Sequence, residues 1–242
     1  MSERAVKVWD WIVAAHEGDG PVSVAALCRA VVQRLEVDGA SVTAVGGAVV
    51  REPLFASDRV SARLEELQFT VGEGPGSGQS GVRSPTLVPD LESAAPRWPG
   101  FAPAAMGIGA RAVFSFPLQV GAIEVGTLSL YRATTGPLTA GELADVLVFA
   151  DIALRLLLDG SSGASGSPGY RALDAMSDAR AEVHQATGMI SVQLGVSLDE
   201  AFARLRARAF ASNSALADVS SAVVNRQLRF DPDLAADSGG AG

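Results

Sequence analysis

Apolar residues in the first 159 positions recur with a helical period, then alternate, and then return to a helical period. Apolar side chains three or four positions apart predict helices that bury one face, and alternation predicts half-buried strands. The segments predicted in this way are helices over 3–17 and 24–36, strands over 40–45 and 48–55, a helix over 59–69, strands over 111–116 and 125–131, and a helix over 139–158. The strands pair as antiparallel neighbours between helices, which indicates an α+β domain.

The same spacing predicts which side of each helix is buried. The buried faces would be Val6, Trp9 and Val13 in the first helix, Leu27, Val31 and Leu35 in the second, and Leu143, Leu147, Ala150, Leu154 and Leu157 in the helix over 139–158. Ser23 precedes the second helix and is its candidate N-cap. This last stripe has the spacing of helices that pair, and so has the stripe Met176, Ala179, Val183, Ala186 and Ile190 in a later helix over 170–194. Both predict a homodimer, although burial within one subunit explains each equally.

A run of Gly, Ser, Ala and Pro residues at 160–169 separates this domain from the rest of the chain. This composition is typical of a flexible tether, and it predicts two domains that are not rigidly coupled. We therefore divide the chain into a first domain over 1–159, a linker over 160–169, a second domain over 170–230 and a tail over 231–242. Limited proteolysis is expected to cut first within the linker.

The second domain has only helical spacing. A helix over 170–194 ends before Gly195, a C′ residue, and Ser197-Leu-Asp-Glu200 is a capping box that opens the next helix. A third helix follows residue 214 and is expected to stop at Asp231-Pro232. The predicted buried positions are Met176, Ala179, Val183, Ala186 and Ile190 in the first helix, Leu198, Phe202, Leu205 and Ala209 in the second, and Leu216, Val219 and Val223 in the third.

Composition is typical of a globular protein without a membrane span. Hydrophobic residues make up 48% of the chain and charged residues 19%, which is enough apolar surface for a core. No run of about 18 apolar residues is free of charge. The single cysteine, Cys28, cannot form an internal disulfide, and the first residues lack the order of a signal peptide, so we predict a cytoplasmic protein.

The net charge of −8 is unevenly distributed. Residues 1–159 carry 12 basic and 18 acidic side chains, whereas residues 170–230 carry seven arginines against six acidic residues. Acidic proteins do not ordinarily bind nucleic acid, but here the acidic excess lies outside the second domain. Lys7 is the only lysine, so any anion recognition would use guanidinium groups.

The sequence contains no group of residues with the spacing of a catalytic or metal site. The segment Gly76-x-Gly78-x-x-Gly81 matches a dinucleotide-binding pattern, but a helix precedes it and no helix follows, so a plain loop explains it better. His16 and His184 have no partner at metal-ligand spacing. We therefore predict a protein that is not an enzyme and that uses neither a metal nor a cofactor.

Arginines are the remaining polar signal. Arg204, Arg206 and Arg208 lie in the second helix of the second domain, and Arg226 and Arg229 are expected to end the third. Arg204 and Arg208 share a face, whereas Arg206 is turned by about 200° from Arg204, so the three cannot all contact one ligand. The alternative is a solvated face with cations placed favourably at helix C-termini.

Residues 182–224 resemble the ANTAR domain of bacterial transcription antitermination regulators, with similar segments at 182–195, 197–209 and 216–224. The positions that match the family pattern are Ala186, Gly188, Met189, Ala201, Leu205, Arg206, Ala209 and Val219. Thr187 stands where many members have lysine, which removes one phosphate contact. The resemblance implies binding of RNA stem-loops in nascent transcripts, and the candidate RNA-binding residues are Gln185, Thr187, Gly188, Arg204, Arg206 and Arg208.

The first domain resembles a GAF domain, a sensory module with an antiparallel sheet between helices. The similar segments are Gly72-Glu-Gly-Pro-Gly76, Val88-Pro-Asp-Leu91, 101–107, 116–118 and 125–131. The resemblance implies a small-molecule ligand, for which Trp98, Phe101, Met106 and Phe114 would offer apolar surface. Core packing explains these four residues equally well.

These features together predict an N-terminal α+β sheet domain and a C-terminal three-helix domain. The resemblances imply a signal-responsive, RNA-binding regulator of transcription antitermination. The alternative is a protein-interaction module whose helical domain only dimerises or docks a partner. Binding of hairpin RNA separates these two hypotheses.

Overall fold

An antiparallel sheet of five strands forms the centre of the first unit, Met1–Asp174, and helices form the second, Ala175–Gly242. The computed structural model describes residues 2–17, 19–46, 50–77, 84–121, 123–159, 168–212, 214 and 216–231. For residues 46, 50, 168–180 and 210 it describes the backbone alone. Residues 160–167, most of the predicted linker, and residues 232–242 of the predicted tail lie outside the described ranges.

The elements of the first unit follow the predicted order. They are α1 (Glu3–Ala14), α2 (Val24–Arg34), β1 (Gly39–Gly46), β2 (Val50–Ala56), α3 (Arg59–Val71), β3 (Thr86–Val88), α4 (Leu91–Ala94), α5 (Phe101–Gly107), β4 (Ala112–Val120), β5 (Ile123–Arg132) and α6 (Ala140–Leu158). The sheet order is β2-β1-β5-β4-β3, and every neighbouring pair is antiparallel. The predicted α+β architecture and both predicted strand pairs are therefore confirmed.

The two faces of the sheet differ in chemistry because side chains alternate along each strand. Phe114, Phe116 and Leu118 of β4 are fully buried on the face that α2 and α6 cover. The opposite face, covered by α3, carries hydroxyl side chains in register, with Ser41 of β1 opposite Ser129 of β5. The sheet thus separates an apolar layer from a layer with buried polar groups.

Side chains cap the helices at the points where the backbone needs them. The hydroxyl of Ser23 accepts from the N–H of Ala26, as predicted for the start of α2. Asp58 caps α3 by accepting from the N–H groups of Val60 and Ser61, at 2.7 and 2.9 Å. These caps satisfy donors that a helix cannot satisfy itself.

The predicted buried face of α1 is wrong. Val8 and Ile12 are fully buried, whereas Val6, Trp9 and Val13 are 46%, 37% and 48% exposed. Helix α1 has apolar residues on two sides, so spacing alone fits either of them, and packing against α2 and α6 selects one. A similar offset occurs in α6, where Leu147 of the predicted stripe is 45% exposed and Val146 is buried.

Three helices contribute to the described part of the second unit: α7 (Pro168–Leu194), which enters it at Ala175, α8 (Leu198–Ala211) and α9 (Leu216–Val224). Helix α7 begins two residues earlier than predicted, at Pro168, because proline suits the first turn of a helix. The buried residues are Val183, Ala186 and Ile190 in α7, Ala201, Phe202, Leu205 and Ala209 in α8, and Leu216, Val219 and Val223 in α9. The side chains of Met176 and Ala179 lie outside the described set, and Leu198, predicted to be buried, is 55% exposed.

Helices α7 and α9 end in the same way. Gly195 has φ +66°, and the next N–H, of Val196, donates to the carbonyl of Ser191, which is a Schellman ending. Arg226 takes the equivalent place after α9 with φ +59°. The N–H of Gln227 donates to the carbonyl of Ala222 at 2.7 Å.

Helix α9 consequently stops at Val224, and the prediction that Asp231-Pro232 ends it is wrong. Arg226 and Arg229 lie beyond the helix and do not form its last turn. The residue that ends the helix is the left-handed Arg226, which the sequence pattern does not single out because glycine usually takes this place.

Candidate functional sites

Two of the α8 arginines present their charges to solvent. Arg204 Nη2 lies 2.6 Å from Oε1 of Glu200, one turn earlier, so part of its charge is neutralised. Arg208 is exposed and has no carboxylate partner among the described residues. Since these two arginines are four residues apart, they lie on one side of α8.

Arg206 has a different environment. Its Cζ lies 4.6 Å from the ring centroid of Phe202, a residue that is only 9% exposed. Burial lowers the pKa of the Arg206 guanidinium, and no carboxylate in the described part of the chain offsets this desolvation. Guanidinium groups stay protonated in proteins, so Arg206 presents a half-buried positive charge that has no counterion within the described ranges. The i, i+4 spacing of Phe202 and Arg206 could have revealed this pair from the sequence.

The α7 candidates do not all face solvent. Gln185 is exposed, and Gly188 has open space beside it, because a Cβ built there would meet no atom within 4 Å. Thr187 is only 6% exposed, and its hydroxyl donates to the carbonyl of Val183 at 2.7 Å. Position 187 continues the buried stripe at 183, 186 and 190, so the structure contradicts Thr187 as a surface contact.

The predicted apolar ligand residues belong to the core. Trp98 and Phe101 are buried and meet edge to face, with ring centroids 6.4 Å apart, and Met106 packs against their cluster. Val113 of β4 lies in this cluster, and the neighbouring Phe114 therefore points to the other face of the sheet. The four residues do not line one pocket, because the sheet lies between Phe114 and the other three.

Buried polar groups gather instead on the sheet face beneath α3. The hydroxyls of Ser41 and Thr43 donate to the carboxylate of Glu65, at 2.9 and 3.0 Å. Ser129 Oγ is buried and has no hydrogen-bond partner among the described residues. A cavity of about 20 Å³ opens at the edge of this face, lined by Pro75, Gly76, Ser84, Thr86, Ser115, Pro117, Glu124 and Thr127.

This polar cavity has room for about one water molecule. Sequence reasoning did not identify it, although the alternation of Thr127, Ser129 and Tyr131 with apolar residues in β5 was a usable signal. Within the described ranges, no three His, Cys, Asp or Glu side chains are placed to hold a metal ion. The chemistry available here is hydrogen bonding to a small polar group.

A larger groove of about 480 Å³ lies between α1 and α6. Its lining residues are Ser2, Ala5, Trp9, Val148, Asp151, Ile152, Arg155, Leu156 and Asp159. Exposed apolar side chains continue from it, including Val6 and Val13 of α1 and Leu147 and Leu158 of α6. No described helix combines the length and the apolar character that crossing a bilayer requires.

Comparison with known proteins finds similarity for both units. The family model of the ANTAR domain matches residues 171–224. The first unit is similar to the GAF domain of a phosphoenolpyruvate-protein phosphotransferase from Coxiella burnetii, at 15% identity and a TM-score of 0.50, covering 65% of this chain and 96% of that one. The GAF domain of an Acinetobacter phosphoenolpyruvate-protein phosphotransferase matches at 9% identity and a TM-score of 0.45, covering 69% and 99%. No curated protein is a significant sequence match.

Proposed function

We propose that this chain, which carries an ANTAR domain over residues 171–224 after a unit with the GAF fold, is a signal-responsive regulator that binds RNA stem-loops and prevents transcription termination. It would act on nascent transcripts in the cytoplasm. The proposed activity is binding and not catalysis. The first unit would supply the signal and the second the RNA contact.

One observation carries this proposal. The segment that matches the ANTAR model contains all of α8, which presents Arg204, Arg206 and Arg208, and all of α9. Phosphate neutralisation by basic side chains supplies most of the sequence-independent affinity for nucleic acid. The region 170–230 has seven arginines against six acidic residues, whereas the first 159 residues have an acidic excess.

Helix α7 offers two further candidates for RNA contact. Gln185 and Gly188 are three residues apart and therefore neighbours on the helix, and Gln185 is exposed. The open space at Gly188 leaves the helix backbone accessible to close approach. We assign RNA contacts to Gln185, Gly188, Arg204, Arg206 and Arg208, and we exclude Thr187 because it is buried. Arg206 is turned by about 200° from Arg204 and Arg208, so the two sides of α8 would contact different parts of the RNA.

The effect on termination follows from mass action. A protein that binds one RNA hairpin and not its competitor stabilises that hairpin by RT ln(1 + [protein]/Kd). At a protein concentration one hundred times Kd this is about 2.7 kcal/mol, which changes the ratio of two competing hairpins about one hundred-fold. Binding alone therefore suffices to disfavour a terminator that shares bases with the bound stem.

The polar face of the first unit is our candidate for the signal site. Ser129 Oγ is buried and has no hydrogen-bond partner within the described ranges, and a small polar ligand would satisfy it. The small cavity on this face is lined by Ser115 and Thr127 but not by Ser129, so a ligand that reaches Ser129 would require α3 to move. Ser129→Val should abolish a ligand-dependent rise in melting temperature while leaving the core intact.

The exposed apolar residues of α1 and α6 favour a homodimer through that face. Trp9 lines the groove and Leu158 is 58% exposed at the end of α6. Large apolar patches on soluble proteins usually mark interaction sites. The stripe of α6 is one of the features that predict a homodimer. A dimer through this face would use α6 together with the exposed face of α1, which the sequence had placed in the core.

Two measurements test the proposal. The full chain is titrated into a pool of hairpin RNAs with random loops, and a selected hairpin is then placed upstream of a terminator in a transcription assay. We expect binding, read-through that increases with protein, and loss of both in Arg206→Ala/Arg208→Ala. Arg63→Ala in the first unit is the matched control and should behave as wild type. A wild-type chain that binds no hairpin at 50 mM salt would support the protein-interaction alternative.

A further inference from the structure

The contact between Arg206 and Phe202 gives the guanidinium a fixed position. Phe202 lies one turn before Arg206 on α8, and this residue is 9% exposed. The arginine carbon sits over this ring at 4.6 Å from the centroid. A side chain held in this way loses less conformational entropy when it binds a ligand than a free arginine does.

The three arginines of α8 are therefore not equivalent. Arg204 is bound to Glu200, and Arg208 is exposed in the last turn. Among the side chains that the structure describes, Arg206 is the only one of the three that lies over an aromatic ring. A charge that serves as a simple phosphate contact needs no such support, since phosphate binding depends mainly on the positive charge.

We propose that the guanidinium of Arg206 stacks on an unpaired base in the loop of the RNA hairpin, and that Phe202 is the positioning residue that holds it. This inference rests on the proposed RNA-binding function. Guanidinium planes stack on bases, and the loop of a hairpin is where unstacked bases are accessible. The base, Arg206 and Phe202 would form a three-layer stack.

This proposal gives two arginines of α8 different roles. Arg206 recognises a loop base through its plane, and Arg208 contacts a phosphate through its charge. Lysine carries the same charge as arginine but has no plane to stack. Arg206→Lys should thus weaken hairpin binding while keeping the dependence of affinity on salt, whereas Arg63→Lys in the first unit should leave affinity unchanged.

The decisive experiment uses the wild-type chain and a hairpin RNA selected from the random-loop pool. Each loop nucleotide is replaced in turn by an abasic site, which removes the base and keeps the phosphate. We expect one position at which wild-type affinity falls about tenfold, in the range measured for base stacking. Arg206→Lys should bind the intact hairpin with the same tenfold loss and should show no further loss at that abasic position.

A second variant tests the positioning role. Phe202→Leu keeps an apolar residue in the core but removes the ring, so hairpin affinity should fall several-fold. The melting temperature of the same sample shows whether the variant is still folded. Because the abasic series needs no protein variant, the proposal stays testable if Phe202→Leu unfolds. Affinity that no abasic position changes, or an Arg206→Lys chain that remains sensitive at the critical position, would overturn the stacking.

These outcomes differ from a failure of the proposed function. If the wild-type chain binds no hairpin, RNA binding itself is wrong. If it binds hairpins with the usual salt dependence but tolerates every abasic loop position, RNA binding stands and the stacking role of Arg206 is wrong.

Discussion

Arg132 donates to Glu142 at 2.5 Å and so connects the last residue of β5 to the first turn of α6. The two side chains are only 10% and 13% exposed. Glu142 also accepts from the backbone N–H of Thr139 at 2.7 Å, which completes a capping box. The pair therefore holds the start of α6 against the end of β5, and Glu142 also caps the helix.

The Arg132–Glu142 pair makes the free energy of unfolding depend on pH. Burial acts to raise the pKa of Glu142, but hydrogen bonds from Thr139 and the charge of Arg132 outweigh it, so the pKa lies below its ordinary value. A lowered folded-state pKa gives stabilisation that is complete above the unfolded pKa of about 4.3 and is lost as pH falls through the folded value. Glu142→Gln should cost about 1–3 kcal/mol at neutral pH, and the deficit should shrink in acid.

Thermal unfolding of wild type and Glu142→Gln at pH 7 and at pH 3.5, which lies below the unfolded pKa of about 4.3, measures this difference. Glu66→Gln is the control, because Glu66 pairs with Arg63 on the surface and its loss should cost less than about 0.5 kcal/mol. A deficit of equal size at both pH values would contradict the electrostatic explanation.

Gly126 of β5 should tolerate no larger side chain. A Cβ at this position would lie 2.6 Å from the carbonyl oxygen of Thr43 and 2.8 Å from Cδ1 of Leu157, so α6 or β1 would have to shift. Gly126→Ala should destabilise the first unit by about 1–3 kcal/mol in urea unfolding. Gly107→Ala is the control, since a Cβ there meets nothing within 4 Å. Equal stability of the two variants would refute the close packing of α6 on the sheet.

Gly188→Ala should raise stability and lower RNA affinity, so it separates folding from RNA binding. Gly188 lies within α7 with open space beside it, so alanine should stabilise the helix by about 0.5–1 kcal/mol. If the RNA backbone approaches the helix at this glycine, hairpin affinity should fall in the same variant. Melting temperature and affinity are measured together. A variant that is more stable and binds RNA as well as wild type would remove Gly188 from the RNA surface.

RNA affinity should depend strongly on salt. With about four phosphate contacts and a slope near −0.7 per contact, affinity should fall roughly fifty-fold between 50 and 200 mM salt. Fluorescence anisotropy with one hairpin RNA at several salt concentrations gives the slope. A slope near zero would mean that the arginines of α8 do not contact phosphates.

The apolar face of α1 should control the oligomeric state. Trp9 is 37% exposed beside the groove, so Trp9→Glu should convert a homodimer to the 24.8 kDa monomer in sedimentation equilibrium. Ile123→Glu, at a 69% exposed site in β5, is the control and should not change the mass. A wild-type chain that sediments as a monomer at micromolar concentration would disprove the dimer.

Much of the fold could be predicted because long elements repeat their pattern several times. The helix at 24–34 with its Ser23 cap and the paired strands β4 and β5 are examples. Elements of three to seven residues, β3, α4 and α5, were not predicted from periodicity, because one turn or one alternation does not define a period. The RNA-binding candidates were chosen by resemblance, which does not report burial. The structure shows that Thr187 is buried, whereas its neighbour Gly188 has open space beside it.

The sequence by itself determined the α+β order of the first unit, the helical second unit and the arginines of α8, because propensity, spacing and charge are local properties. Tertiary structure decided which of two apolar faces α1 buries, which side of the sheet Phe114 faces and where α9 ends. It also placed Arg206 over Phe202. Those outcomes depend on the shape of the neighbouring elements, which no single segment encodes, since burial is a property of the packed surfaces together.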